Sequence, residues 1–290
     1  MLQREPIPAL RPFVSMLWAS EPSGLAAGGT VYRERVLPNG NMHLVLRSST
    51  RPLRIFDNPQ DRLGSTFDRA MVGGARAGCH LREFVPDGVS VGAELRTGAG
   101  MALFSVPAGE LAMHHTALDD LWGAAAMLAR ERIFASTDPG RQLDAFETIL
   151  AARLPRVHGL HPAVAQALAC FRESPSVDAM ATASGYSHRH FIALFARETG
   201  LTPKRFFRVQ RFRALLAHAA SHPTLPWTEL ALAGGYSDQS HFNREFQAFA
   251  GMTPGEYRRA RPRFPHHVPL ATDMKTGQFR ASAGSHGTSQ

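Results

Sequence analysis

Ala181-Thr-Ala-Ser-Gly185-Tyr186-Ser187, then His188-Arg-His-Phe191-Ile-Ala-Leu-Phe195, then Gly200-Leu-Thr-Pro203, is a pattern that the chain repeats. The second copy reads Ala231-Leu-Ala-Gly-Gly235-Tyr236-Ser237, Asp238-Gln-Ser-His-Phe242-Asn-Arg-Glu-Phe246 and Gly251-Met-Thr-Pro254. Ala, Gly and Tyr recur at an offset of 50, and both Phe residues, the later Gly and the Pro at 51, so the second copy carries one extra residue in its turn. Two copies make a duplicated module; a solenoid needs at least three.

Each copy holds the parts of a helix-turn-helix. A small residue, Ala181 or Ala231, lies where a second helix must come close. Gly185 or Gly235 stands where the chain leaves the first helix, a place suited to positive φ. Ser187 and Asp238 are natural N-caps for the next helix. That helix carries Phe191, Leu194 and Phe195, or Phe242, Phe246 and Phe249, on one face. Gly200 and Gly251 end it, and Thr-Pro opens another. Such a unit holds its second helix out toward a major groove.

Residues from about His161 to Arg261 resemble the AraC-type DNA-binding domain, two helix-turn-helix units joined by a long helix. Gly235-Tyr-Ser-Asp-Gln-Ser-His-Phe242 and Thr253-Pro-Gly-Glu-Tyr-Arg-Arg259 carry the likeness. Within this region His161-Pro162 starts a helix with Val164, Ala167, Leu168 and Phe171 apolar. Pro203 opens the connector, which runs to about Ala220 with Phe206, Leu215 and Leu216 inward. Its Arg205, Arg208, Arg211 and Arg213 fit phosphate contacts or a solvated basic face. Pro226-Trp227 starts the second unit.

Charge supports this reading. Of a formal net charge of +8, residues 161–265 carry +6, the partition a polyanion-binding domain requires. No run approaches the ~18 apolar residues that span a bilayer, and the N-terminus lacks a signal-peptide pattern. Cys79 and Cys170 are isolated, which fits a reducing cytoplasm and excludes a cysteine-based zinc site.

The segment before Glu110 reads as β-rich. Tyr32–Pro38 and Met42–Arg47 flank Asn39-Gly40, a hairpin signal. Further strands fit Pro52–Phe56, Ala70–Gly73 and Val89–Leu95. From Leu118 the pattern is helical, with Leu118, Leu121, Trp122, Ala125 and Leu128 on one face. A second helix, from about Pro139 to Leu154, has Leu143, Phe146, Ile149 and Leu150 inward. Leu154 to Gly159 reads as a linker. His43, His80, His114 and His115 lack metal-ligand spacing, and His114-His115 fits a loop or helix end. Asp119-Asp120 reads as charge at a helix start. Gly73-Gly74 and Gly98–Gly100 lack the context of a nucleotide loop. Tyr32-Arg-Glu-Arg-Val-Leu-Pro-Asn-Gly40, Val91-Gly-Ala-Glu-Leu-Arg-Thr-Gly-Ala99 and Leu118-Asp-Asp-Leu-Trp-Gly123 resemble a β-rich domain of unassigned function found before AraC-type modules.

The expected fold is α+β. A β-rich barrel- or sandwich-like domain with trailing helices occupies residues 1–155, for effector sensing or dimerisation. An all-α, seven-helix double helix-turn-helix domain follows over residues 156–265, and a disordered tail over 266–290. The resemblance implies a cytoplasmic, non-enzymatic transcriptional regulator that binds double-stranded DNA without cofactor or metal. It leaves room for a small-molecule effector, a homodimer and contact with RNA polymerase. The expected DNA-facing residues are Arg189, Ile192 and Ala193 in the first unit, and Ser240, His241, Asn243, Arg244 and Gln247 in the second, with Arg208 and Arg211 on the connector. A constitutive DNA-binding protein with a purely structural first half is the alternative. A methyl-accepting repair fusion fails for want of a reactive-cysteine cluster.

Overall fold

The computed structural model describes residues 1–20, 31–58, 60–155, 159–170 and 176–270. The N-terminal part is built on two antiparallel sheets. Its strands, in chain order, are β1 (Leu2–Arg4), β2 (Val14–Ala19), β3 (Tyr32–Val36), β4 (Met42–Arg47), β5 (Leu53–Phe56), β6 (Ser65–Phe67), β7 (Ala70–Gly73), β8 (His80–Phe84), β9 (Ser90–Leu95), β10 (His115–Ala117) and β11 (His267–Pro269). One sheet runs β1-β2-β9-β4-β7-β10, the other β11-β3-β8-β5-β6. Strand alternation sends Leu44 and Leu46 of β4 into the main core, which also holds Leu118, Phe146 and Leu150 from the helices. Val45, between them, packs with Met71 of the same sheet and with Leu53 and Ile55 across the gap between the sheets. The six-stranded sheet is therefore buried on both faces.

Asn39-Gly40 does not make the expected hairpin. β3 pairs with β8 and β11, whereas β4 pairs with β7 and β9, so the turn carries the chain from one sheet to the other. Gly40 has φ +76°, and a Cβ there would come within 2.7 Å of Gln210 Nε2. The backbone calls for glycine there, and Gln210 and Val209 of the C-terminal part pack against it.

A short π-helical turn at Gly100–Phe104 leads into α1 (Ala108–Leu111), and β10 is followed by α2 (Leu118–Trp122), α3 (Ala124–Phe134) and α4 (Pro139–Ala152). Strand β10 begins at His115, a position expected in a loop or helix end. Gly123, at φ +56°, interrupts the expected apolar face and changes its phase. Ala126, Ala129 and Ile133 are buried beyond it, while Leu128 is 61% exposed. In α4, Leu143, Phe146 and Leu150 face inward as expected, and Ile149 packs at the core's edge.

Seven helices follow among the described residues: α5 (Pro162–Ala169), α6 (Val177–Ser184), α7 (His188–Thr199), α8 (Pro203–Ser221), α9 (Trp227–Ala233), α10 (Gln239–Ala250) and α11 (Pro254–Ala260). Prolines open α5, α8 and α11 at their first turn, where the lost N–H has no partner to miss. Phe171 and residues 156–158 of the expected linker lie outside the described residues. The tail corrects an expectation, since residues 267–269 form β11 on the edge of the five-stranded sheet, with Val268 buried. His267 pairs with Glu34 (2.8 Å) and fastens this strand. Residues 271–290 lie outside the described residues.

Candidate nucleic-acid interface

The two copied segments fold as matched units. Gly185 and Gly235 both have φ +72°, the left-handed conformation assigned to them. Ser187 Oγ accepts the His190 N–H at 3.3 Å, and Asp238 Oδ1 accepts the His241 N–H at 2.7 Å. That backbone donor holds the Asp238 carboxyl below its ordinary pKa range. Ala181 and Ala231 are each 3% exposed at the helix crossings. Phe191 and Phe195 of α7, and Phe242 and Phe246 of α10, are fully buried. Both helices end at left-handed glycines, Gly200 and Gly251. Each is 12 residues long; α10 turns its opposite face to solvent, and α7 does so in part.

On α10 that face presents Ser240, Asn243, Arg244 and Gln247, all exposed. On α7 it presents exposed Arg189 and Ala193 and half-buried Ile192. Ala193 is not free on all sides, because it lines a shallow recess with Arg197 and with Pro107, Gly109 and Glu110 around α1. His241 is half-buried and turned toward the protein. Its Nδ1 lies 3.2 Å from Ser237 Oγ, and its ring meets Tyr236 edge-on.

Arg208 and Arg211 of the connector α8 are engaged within the fold. Arg208 Nε donates to Glu245 Oε2 (2.8 Å) and Arg211 Nη2 to Glu245 Oε1 (3.1 Å). The Tyr236 hydroxyl donates to the same carboxylate (3.1 Å), and the Arg211 guanidinium stacks over the Tyr236 ring at 4.6 Å. Burial works to raise the Glu245 pKa, but the hydrogen bonds from Arg208 and Arg211 outweigh it and hold the carboxyl ionised. Burial, and then the charge of Glu245, push the Tyr236 hydroxyl well above its usual range. This knot fixes α10 on the connector while leaving both guanidiniums about one-third exposed. Lys204, Arg208, Arg211 and His218 line a cleft of about 760 Å³ between the units.

Glu245 was not among the expected site residues, yet it had a signal. It lies on the Phe242-Phe246-Phe249 face, where a carboxylate needs a buried cationic partner. The matching position of the first copy is Leu194, and there the Tyr186 hydroxyl meets His161 (3.3 Å) at the surface instead. Among the described residues no helix is long and apolar enough to cross a membrane.

Comparison with known proteins places these features among relatives. Residues 180–260 match the model of a helix-turn-helix domain, and residues 2–117 that of a domain of unknown function, DUF6597. The RCS-specific HTH-type transcriptional activator RclR of Escherichia coli is 32% identical over 103 residues, 34% of this chain and 36% of that protein. The match thus spans about a third of that relative's length. Among solved structures, apo ToxT from Vibrio cholerae has a TM-score of 0.46 at 9% identity, covering 88% of this chain and 99% of ToxT. The C-terminal domain of AraT, a response regulator from Geobacillus stearothermophilus, has a TM-score of 0.33 at 20% identity, covering 42% and 97%.

Proposed function

We propose that this chain, which carries an AraC-type helix-turn-helix domain behind a DUF6597 domain, is a transcriptional regulator that reads double-stranded DNA in sequence. Helices α7 and α10 would enter successive major-groove segments on one face of the duplex. The observation that carries this reading is the pair of equal, capped helices, each buried by its phenylalanines on one side, with the other side of α10 open and that of α7 open at Arg189 and bordered by α1 near Ala193. The name of the Escherichia coli relative, a transcriptional activator, supports it.

Arg244 offers the bidentate edge that suits guanine O6/N7, and Asn243 and Gln247 offer the amides that suit adenine N6/N7. Ser240 is short enough to accept either base edge, and His241 stands behind it. In the first unit Arg189 is the hydrogen-bonding reader, while Ile192 and Ala193 offer only apolar contact, such as with thymine methyls. Arg208 and Arg211 orient α10 through Glu245 and reach phosphates with their remaining donors. The division into residues 1–155, 156–265 and 266–290 belongs to the same reading, with the first part sensing an effector in the cytoplasm.

The full chain, offered a pool of random duplexes, should enrich one sequence. Affinity for that sequence should fall about a hundredfold or more between ~50 mM and ~200 mM salt, because basic side chains displace condensed counterions. Failure to enrich any sequence, or affinity indifferent to salt, would overturn the reading.

A further inference from the structure

Three histidines that DNA reading does not use meet between the two sheets, and Arg76, in the connection from β7 to β8, acts on all three by its charge. His43 on β4 and His115 on β10 are both in register with Gly73 on β7, so the three positions form a row across neighbouring strands. Residues in such a row share a face. Gly73 has no side chain, and the two imidazoles close over it with ring centroids 5.5 Å apart. A Cβ at Gly73 would lie 2.0 Å from His43 Cε1, so only glycine leaves room for the His43 ring. His80, from the opposite sheet, meets His115 edge-on at 4.8 Å, and Phe67 stands 5.9 Å from it.

His115 is 9% exposed, and neither of its ring nitrogens has a hydrogen-bond partner. Arg76, 6% exposed, gives Nη2 to the carbonyl (3.1 Å) and carboxylate (3.0 Å) of Asp57, while its Nε and Nη1 have no partner. Protein interiors rarely leave buried polar atoms unpaired, and several in one place point to an absent partner. The charges around the cluster settle that partner's sign. Burial, helped by Arg76 and Arg82, keeps all three imidazoles neutral, with the His43 pKa pushed down to about 4. Neutral rings offer N–H donors, and Arg76 keeps Nε and Nη1 beyond its pair with Asp57, which favours an anion, while Arg82 is held by Glu34.

We propose that the His43–His80–His115 cluster with Arg76 is a binding site for a small oxygen anion, either the carboxylate of a metabolite or a free inorganic oxyanion. Arg76 supplies the charge and His115 a ring N–H. This deepens, and rests on, the reading of the first half as a sensor. The segment from Gly73 to His80 also links the site to both reading helices. A Cβ on Gly200, at the end of α7, would lie 3.0 Å from the Ala75 Cβ, and the Cys79 N–H donates to the Phe249 carbonyl of α10 at 3.0 Å. An anion that draws Arg76 inward therefore pulls on the segment that seats both helix ends.

The test is the melting temperature of the full chain at fixed ionic strength, with acetate, benzoate, nitrate or phosphate replacing chloride in graded steps. At least one should raise it saturably, by about 3 °C or more, as a ligand of the folded state does. Carboxylates acting alone would identify a metabolite as the source, and nitrate or phosphate a free oxyanion. His115→Phe should melt no lower than the parent in chloride, because it removes two unpaired nitrogens, and should lose the anion response. Arg76→Gln should lose the response as well. No saturable rise with any of the four, or an equal rise in His115→Phe, overturns the site. DNA is absent from this measurement, so its failure leaves the DNA-binding reading standing. A saturable rise in a chain that enriches no duplex would keep the site and remove the regulator.

Discussion

Glu245 shows how one residue ties the seating of α10 to stability. Two arginines and a tyrosine converge on its carboxylate, and it is 3% exposed. Glu245→Ala should destabilise the full chain by about 2 kcal/mol in urea denaturation, because it removes two charge-assisted hydrogen bonds and leaves the buried Tyr236 hydroxyl without an acceptor. A change within about 0.5 kcal/mol would mean that the knot contributes little. The buried histidines set a pH dependence of definite sign. Unfolded, they titrate near ~6.5; folded, burial first and neighbouring charge second lower His43 to about 4 and push His80 and His115 down as well. Their stabilising contribution is complete above pH ~6.5 and is lost as pH falls through the folded values, since the unfolded chain takes up protons that the folded chain refuses. Glu34 adds a lower window. Burial raises its pKa, but Arg82 and His267 outweigh this and bring it to about 2, so its contribution is lost below the ordinary carboxylate range. Stability should therefore decline from pH 6.5 downward, and His115→Phe should flatten the slope below about 6.5. An unchanged slope would mean that His115 is protonated in the folded state.

At the scale of elements, the turn glycines separate backbone strain from contact. A Cβ on Gly185 or Gly235 would meet nothing within 4 Å, so no close helix approach requires glycine there and φ alone does. Gly185→Ala and Gly235→Ala should each cost about 1–2 kcal/mol. Gly251→Ala should cost more, because its Cβ would also press on Cys79 Sγ at 3.0 Å. Equal costs at all three sites, measured by thermal unfolding, would show that contact adds nothing. The helical array was legible because its signals are local: a cap, an apolar face and a glycine fall within one turn of where they act. Strands β4, β5, β7 and β9 were legible for the same reason. Asn39-Gly40 misled because its conformation serves a bend between sheets and a seat for α8, contacts made far along the chain. The histidine cluster could not be read at all. Strand register, and not spacing, brings His43 and His115 to the same glycine. The solvent-facing residues of α10 could be named from the phase of its phenylalanines, but the engagement of Arg208 and Arg211 depends on Glu245 in another helix.

At the scale of the molecule, the two halves share one continuous apolar core. Arg35 of β3 donates to the carbonyls of Ala250 (3.1 Å) and Gly251 (2.7 Å), capping the end of α10. Gln210 reaches the Asn39 carbonyl, Arg213 pairs with Glu94, and a Cβ on Gly109 of α1 would touch the α7 backbone. With β11 returning to β3, the C-terminal module is held at both helix ends and by its tail. A fragment of residues 155–265 should consequently melt at least about 5 °C below the full chain. An equal melting temperature would show that the shared core stabilises neither half. On the proposed reading, α7 and α10 do unequal work on DNA, since the proposed contact set includes a single hydrogen-bonding side chain on α7, Arg189, and several on α10. Arg244→Ala should relax base preference about tenfold or more, and Ile192→Ala less, at about 1–3 kcal/mol per good base pair contact. The most direct measurement scrambles each half-site of the selected duplex in turn and compares affinities for the full chain. A greater loss when the α10 half-site is scrambled is the predicted result; equal losses, or a greater loss on the Arg189 side, would contradict it.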